Sequence, residues 1–184
     1  MAEQFASLSE DLRQWIEQQH IFFVATAAPD GRINLSPKGQ SSLKITNSNE
    51  LLWLNLTGSG NETAAHLLES NRMTLMWCAF EGPPRILRIY GQATTIHPRD
   101  QAWSDCVQVL PAPVGARQYY RVNFDLVQTS CGYAVPLMDH VNDRDVLTRW
   151  AEKRGPEGIE KYWSEKNQYS LDGKPTEILQ ESLF

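Results

Sequence analysis

Two glycines, two hydroxyls and an asparagine fall together in Thr57-Gly58-Ser59-Gly60-Asn61, directly before Glu62, Thr63 and an apolar-faced run to Ser70. A helix opening at Asn61 presents N–H groups with no partner inside the helix, together with the positive end of its dipole. Both suit a phosphate. Gly58 and Gly60 let the backbone turn sharply and leave no side chain in a ligand's way, while Thr57, Ser59 and Thr63 add hydroxyl donors. A strand-to-helix connection also uses glycine and a capping asparagine for its own sake. Glu62 in the first turn, moreover, already occupies the dipole and repels a second anion. Taken alone, the stretch leaves both a plain turn and an anion cradle open.

A cradle needs cations. Lys38 follows Ser36-Pro37 at the end of an expected strand, and Arg88 shares a strand face with Ile86 and Tyr90 by two-residue alternation. An arginine among apolar and aromatic neighbours is costly unless it meets an anion or an acidic partner. The plainer alternatives are a salt bridge across a sheet for Arg88 and an exposed turn lysine for Lys38. Together the two would supply what a phosphorylated, partly aromatic cofactor requires. Cys131 and Tyr133, in "TSCGYAVP", sit in a tight turn after a strand. A cleft-facing thiol and a small buried residue are both compatible with that position. His20, His66, His97 and His140 show no metal-ligand spacing. No Ser-His-Asp order or paired carboxylates support hydrolysis.

The elements that must position these residues follow from periodicity. Ser7 and Glu10 form a capping box, with Leu8, Leu12, Trp15 and Ile16 at helical spacing, so a first helix is expected to run to about His20. Strands are expected at 21–27 and 33–37 around the turn "PDGR", then at 43–46 and 51–56. A short helix over 61–70 precedes strands at 73–80, 85–97 and 118–129, with Gly91 marking a bulge or a close backbone approach in the second of these. A helix over 98–110 opens on Pro98, and two late helices, 143–153 and 156–167, are split by "RGPEG". The tail "YSLDGKPTEILQESLF" is only weakly periodic. Hairpin-linked strands with one inserted helix predict a mainly β chain, an antiparallel barrel with peripheral helices, in a single domain over 1–184 with a C-terminal helical extension over about 143–184.

Composition narrows the class. With 17 basic and 22 acidic residues, the net charge of −5 gives no footprint for nucleic acid. No apolar run approaches the ~20 residues that span a bilayer. The start lacks a signal peptide. Three scattered cysteines read as reduced thiols in a cytoplasmic protein.

The blocks "IFFVATAAPDGRINLSPKG", "LTGSGNETAAHLLESNRMTLMWC" and "RILRIYGQA" resemble, in order and spacing, the pyridoxamine 5′-phosphate oxidase-like FMN-binding proteins. With "QTSCGYAVP" and the trailing "RWAEKRGPEGIEKYWSEKN", the chain is similar to one bacterial subfamily of unassigned substrate over nearly its full length. The resemblance implies a split β-barrel that dimerises, with FMN in clefts at the subunit interface. It also implies phosphate contacts near the strand after the first hairpin, at Ser36 and Lys38, and around the helix opening at Asn61, with Arg88 as an electrostatic partner. Three departures separate the chain from the true oxidase: Glu62 and Thr63 stand where a basic pair begins the helix, Ile86 stands in place of a glutamine, and "TEILQESLF" has no arginine–x–histidine element. Two readings follow. One is an FMN-dependent oxidoreductase acting on a small molecule; the other is a non-catalytic carrier of flavin, pyridoxal phosphate or haem on the same barrel.

Overall fold

The computed structural model describes residues 2–39 and 42–179. The last five residues, which end the tail compared with the oxidase element, lie outside the described set. An unexpected short strand, β1 (Glu3–Phe5), opens the chain. Its three exposed residues carry no apolar alternation to announce it. Helix α1 (Glu10–Glu17) is capped by Ser9, not Ser7: Ser9 Oγ accepts the Leu12 N–H at 3.3 Å. The reason lies one residue earlier, where the Leu8 N–H is bound to Ser48 O at 2.8 Å, which holds the chain against the sheet until Ser9.

Strands β2 (Ile21–Thr26) and β3 (Asn34–Gly39) form the first hairpin, and β4 (Leu43–Asn47) and β5 (Glu50–Leu56) the second. Helix α2 (Glu62–Glu69) leads into β6 (Arg72–Cys78) and the long β7 (Ile86–Ile96). The β7 register shifts at Tyr90/Gly91, where a Cβ on the glycine would come within 2.9 Å of Phe124 Cβ, so the predicted bulge is present. Helix α3 (Trp103–Val109) starts five residues later than expected. Asp100 Oδ2 takes the His97 N–H at 2.7 Å, which keeps Pro98 in a turn rather than at a helix start. Strand β8 (Ala116–Ser130) follows. Helix α4 (Val146–Lys166) consists of two helical pieces meeting at Gly155, whose φ of 67° breaks the helix at the "RGPEG" signal.

All pairings are antiparallel along the path β3-β2-β6-β7-β8-β5-β4, with β1 beside β8. The path ends at β3 and β4, giving a curled half-barrel with helices outside, the split-barrel arrangement. Alternation puts Phe22, Val24, Leu75, Trp77, Leu87 and Ile89 on the inner face, each fully buried or nearly so. Trp53 stacks on Tyr120 at 4.7 Å and Phe22 on Trp77 at 5.7 Å, so the two tryptophans read as core are core. The outer face is far less covered: Ile33 is 77 % exposed and Leu35 63 %. Among the described residues, no helix is long and apolar enough to cross a membrane.

Candidate functional site

Beside the glycine loop lies a cavity of ≈ 270 Å³. Its first wall is the inner face of β3, where alternation aims Asn34, Ser36 and Lys38 the same way. Its second wall is the loop between β5 and α2 with the first residues of that helix: Gly58, Ser59, Gly60, Asn61, Glu62 and Thr63. Its third is Arg117, at the start of β8. The sequence reading thus places seven of its residues here and misses Arg117.

Both cations face this cavity without a carboxylate in salt-bridge contact among the described residues, although Glu62 also lines it. Arg117 is 3 % exposed and donates to Gln118 Oε1 at 3.1 Å, Asn167 Oδ1 at 2.9 Å and Gly58 O at 3.4 Å. All three are neutral acceptors. Burial pushes its guanidinium down to about 10, still charged at neutral pH, although Tyr120, Tyr162 and Glu62 act the other way. Lys38 Nζ stands 5.3 Å from the Trp53 ring centre, and burial, followed by repulsion from Arg117, pushes its ammonium down to about 8. Neither Lys38 nor Arg117 makes a salt bridge among the described residues. Two desolvated positive charges side by side are costly unless an anion joins them.

The glycines fit the same picture. A Cβ on Gly58 would meet nothing within 4 Å, and one on Gly60 only the flexible Glu62 side chain, at 3.3 Å from Oε1. Neither has a positive φ. The expectation that the turn itself demands glycine at position 60 is therefore not met, because the backbone there is ordinary and the space is open. Gly31 shows the contrast: its φ is 88°, and a Cβ there would press on Asp172 Oδ2 at 2.6 Å.

Three other expectations change. Asn61 occupies the N-cap position of α2 but caps nothing; its Nδ2 donates to Asn167 O at 3.3 Å and its Oδ1 accepts from Gln118 Nε2 at 3.2 Å. Thr57 is no ligand donor in this geometry. Its hydroxyl donates to Gly115 O at 2.8 Å and accepts from Trp163 Nε1 at 2.8 Å. Glu62 does not fill the helix end, because its carboxylate is drawn to the Leu171 N–H at 3.0 and 3.1 Å. The C-terminal extension takes part in all three, through Asn167 for Asn61, Trp163 of α4 for Thr57 and Leu171 of the weakly periodic tail for Glu62. Residues 167–174 strap across the loop, held by the Arg32–Asp172 ion pair and by Lys174, 2.7 Å from Asp30 and 2.6 Å from Glu69.

The remaining residues lie elsewhere. Arg88 is half-buried on the outer side of β7 and donates to Ser130 Oγ at 3.3 Å, well away from the cavity wall. Its face reverses the direction expected of a cavity cation, since two-residue alternation fixes that Ile86, Arg88 and Tyr90 share a side but not which side is inside. Cys131 is exposed and Tyr133 is 84 % exposed, just beyond β8. His66 is 2 % exposed and satisfied by Thr26 Oγ1 at 3.1 Å. Among the described residues, no group of His, Cys, Asp and Glu could hold a metal.

Residues 8–131 match the family model described as pyridoxamine 5′-phosphate oxidase. The chain is also 36 % identical, over 189 aligned positions, to the pyridoxamine 5′-phosphate oxidase family protein ustO of Aspergillus flavus; the match covers 93 % of this chain and 76 % of that protein. The chain belongs to the pyridoxamine 5′-phosphate oxidase family. Solved structures agree on the fold. A HupZ variant from Group A Streptococcus superposes with a TM-score of 0.53 at 15 % identity, covering 66 % of this chain and 98 % of that one. A candidate pyridoxamine 5′-phosphate oxidase from Lactobacillus delbrueckii gives 0.51 at 17 %, covering 66 % and 93 %. The pyridoxamine 5′-phosphate oxidase model stops at residue 131, before α4 and the strap. The fungal match, covering 93 % of this chain, extends past that point.

Proposed function

We propose that this protein binds FMN and is a flavin-dependent oxidoreductase acting on a small molecule. The observation that carries the reading is the pair of cations, half-buried Lys38 and buried Arg117, facing an open glycine loop with neither held in a salt bridge among the described residues, while the Glu62 carboxylate on the same rim is turned to the Leu171 N–H. The cavity suits a terminal phosphate: Ser36, Ser59 and Thr63 offer hydroxyls, the loop and the first turn of α2 offer N–H groups, and the two cations supply charge. Bound there, the flavin would supply the hydride and electron chemistry, and the protein would supply anchoring and orientation. The test is the small molecule released from denatured protein, by mass, together with an absorption band near roughly 450 nm that bleaches with NAD(P)H. A band that bleaches only with dithionite, with no substrate turned over, favours a carrier.

The reading makes a pH prediction with a definite sign. An anion raises the affinity of Lys38 for its proton, so binding is strongest while Lys38 is charged and weakens as pH rises above about 8. A phosphate loses its second charge below about 6. FMN affinity is therefore expected to be greatest between about pH 6 and 8. Stability of the ligand-free protein should move oppositely. The folded ammonium lies below its unfolded value near 10.4, so the penalty for burying it lifts as pH rises from about 8 to about 10.4. FMN titrations at several pH values check this, and Lys38→Met should abolish the alkaline limb. An unchanged alkaline limb in that variant would remove Lys38 from the site.

A second copy of the chain completes the proposal. The outer face of β2, β3, β6 and β7 presents Phe23, Leu35, Met76 and Tyr90, an apolar surface a monomer would leave wet. A dimer through that face would bring the outer residues Arg88, Cys131 and Tyr133 to the subunit interface, beside a flavin shared between copies. Leu35→Arg is expected to give monomers in sedimentation and to lose flavin. A wild-type protein that sediments as a stable monomer at micromolar concentration with flavin bound would overturn it.

A further inference from the structure

Asn167, immediately after α4, is fully buried, and both polar atoms of its side chain are engaged with the glycine loop or with Arg117. Its Nδ2 donates to Gly58 O at 3.0 Å and Ser59 O at 3.4 Å, its Oδ1 accepts from Arg117 Nη1 at 2.9 Å, and its backbone carbonyl accepts from Asn61 Nδ2 at 3.3 Å and Thr176 Oγ1 at 2.5 Å. The ring closes through Gln118, whose Nε2 donates to Asn61 Oδ1 and whose Oε1 accepts from Arg117 and from Asn55.

Peptide planarity turns these contacts into a statement about direction. Among the described residues there is no cis peptide, so each C=O and the following N–H point oppositely. With the Gly58 and Ser59 carbonyls held by Asn167, the N–H groups of Ser59 and Gly60 point to the other side of the loop. That is the cavity side, which Gly58, Ser59 and Gly60 line and Asn167 does not. Among the described residues, neither N–H has a backbone acceptor.

We propose that Asn167 is a positioning residue for phosphate recognition: from behind the loop it aims the Ser59 and Gly60 N–H groups, and steadies Arg117, toward one phosphate. The proposal rests on the phosphate reading above. It also gives the C-terminal strap a role, since an element outside the barrel then sets the affinity of a site whose walls all belong to the barrel. A purely structural asparagine, ending α4 and filling space, would leave ligand preference alone.

The discriminating quantity is the ratio of FMN to riboflavin affinity, because the two ligands differ only in the phosphate. In the wild type FMN is expected to bind about 100-fold tighter than riboflavin. Asn167→Ala should shrink that ratio by about 10-fold or more through weaker FMN binding, with riboflavin affinity held. Asn167→Asp keeps the size and the acceptor for Arg117 but replaces the amide donor with a carboxylate facing two carbonyls. It should therefore fold and still lose the preference, and it carries the test if the alanine variant unfolds. A wild type that binds the two flavins equally overturns the phosphate reading and this proposal with it. A wild type that prefers FMN, with a ratio unchanged in both variants, overturns the role of Asn167 alone.

Discussion

Replacing Arg117 by methionine is expected to weaken FMN binding by about a thousand-fold while the protein stays folded. Truncating one partner of a buried, hydrogen-bonded charge pair costs about 2–5 kcal/mol, and Arg117 is the more deeply buried of the two cavity cations. Stability is governed by two opposed effects. The variant takes the Arg117 donor from Gly58 O, Gln118 Oε1 and Asn167 Oδ1, at about 1–3 kcal/mol for each group left wholly unpaired. It also removes a buried charge that no salt bridge among the described residues compensates, and that removal is favourable. Since Gly58 O keeps its bond from Asn167 and Gln118 Oε1 its bond from Asn55, only Asn167 Oδ1 is fully orphaned, and the net loss should be small. Isothermal titration with FMN, beside a thermal melt without ligand, measures both. A variant that binds FMN like the parent would remove the phosphate from this cavity.

The second large effect is at Gly60, where valine is expected to abolish FMN binding without lowering the melting temperature appreciably. The backbone there is not left-handed, and the only near neighbour of an added Cβ is the Glu62 side chain, which can swing away. The new methyl groups would stand at the cavity wall, in the space a phosphate needs. Asn61→Ala should behave differently. Asn61 caps nothing, but its amide links Gln118 to Asn167 inside the protein, so its loss should lower stability first. Fluorescence quenching of FMN on folded variants, with far-UV circular dichroism as control, separates the two. A Gly60→Val protein that binds FMN normally would leave the open loop without a ligand.

Much of this was legible before the structure. The hairpins at "PDGR" and "NSNE", the bulge at Gly91 and the break at "RGPEG" are local signals, written in turn chemistry and glycine tolerance, and they appear where expected. Lys38 and the loop glycines were legible because they lie next to a turn or a helix opening. Arg117 was not. It sits in "GARQYYRVNF" beside Arg121, and a strand buried on both faces at its start has no alternation to mark which arginine points inward. Asn167 was equally hidden, since its meaning depends on carbonyls more than 100 residues earlier. That Arg88 lies on the outer face, apart from this cavity, was not legible for the same reason: period-two patterning groups residues onto a face without naming it.

That separation has a consequence for how the protein matures. Asn167 lies 109 residues from Gly58, and the Asn61 contact spans 106. Contacts that close so long a stretch of chain form late, after the nearer strand pairs have made the barrel. During synthesis the loop over Gly58–Asn61 therefore exists for most of the chain's emergence without the residue that faces its amides inward. If the loop is the phosphate site proposed above, flavin loading is expected to follow assembly of the barrel and not to template it.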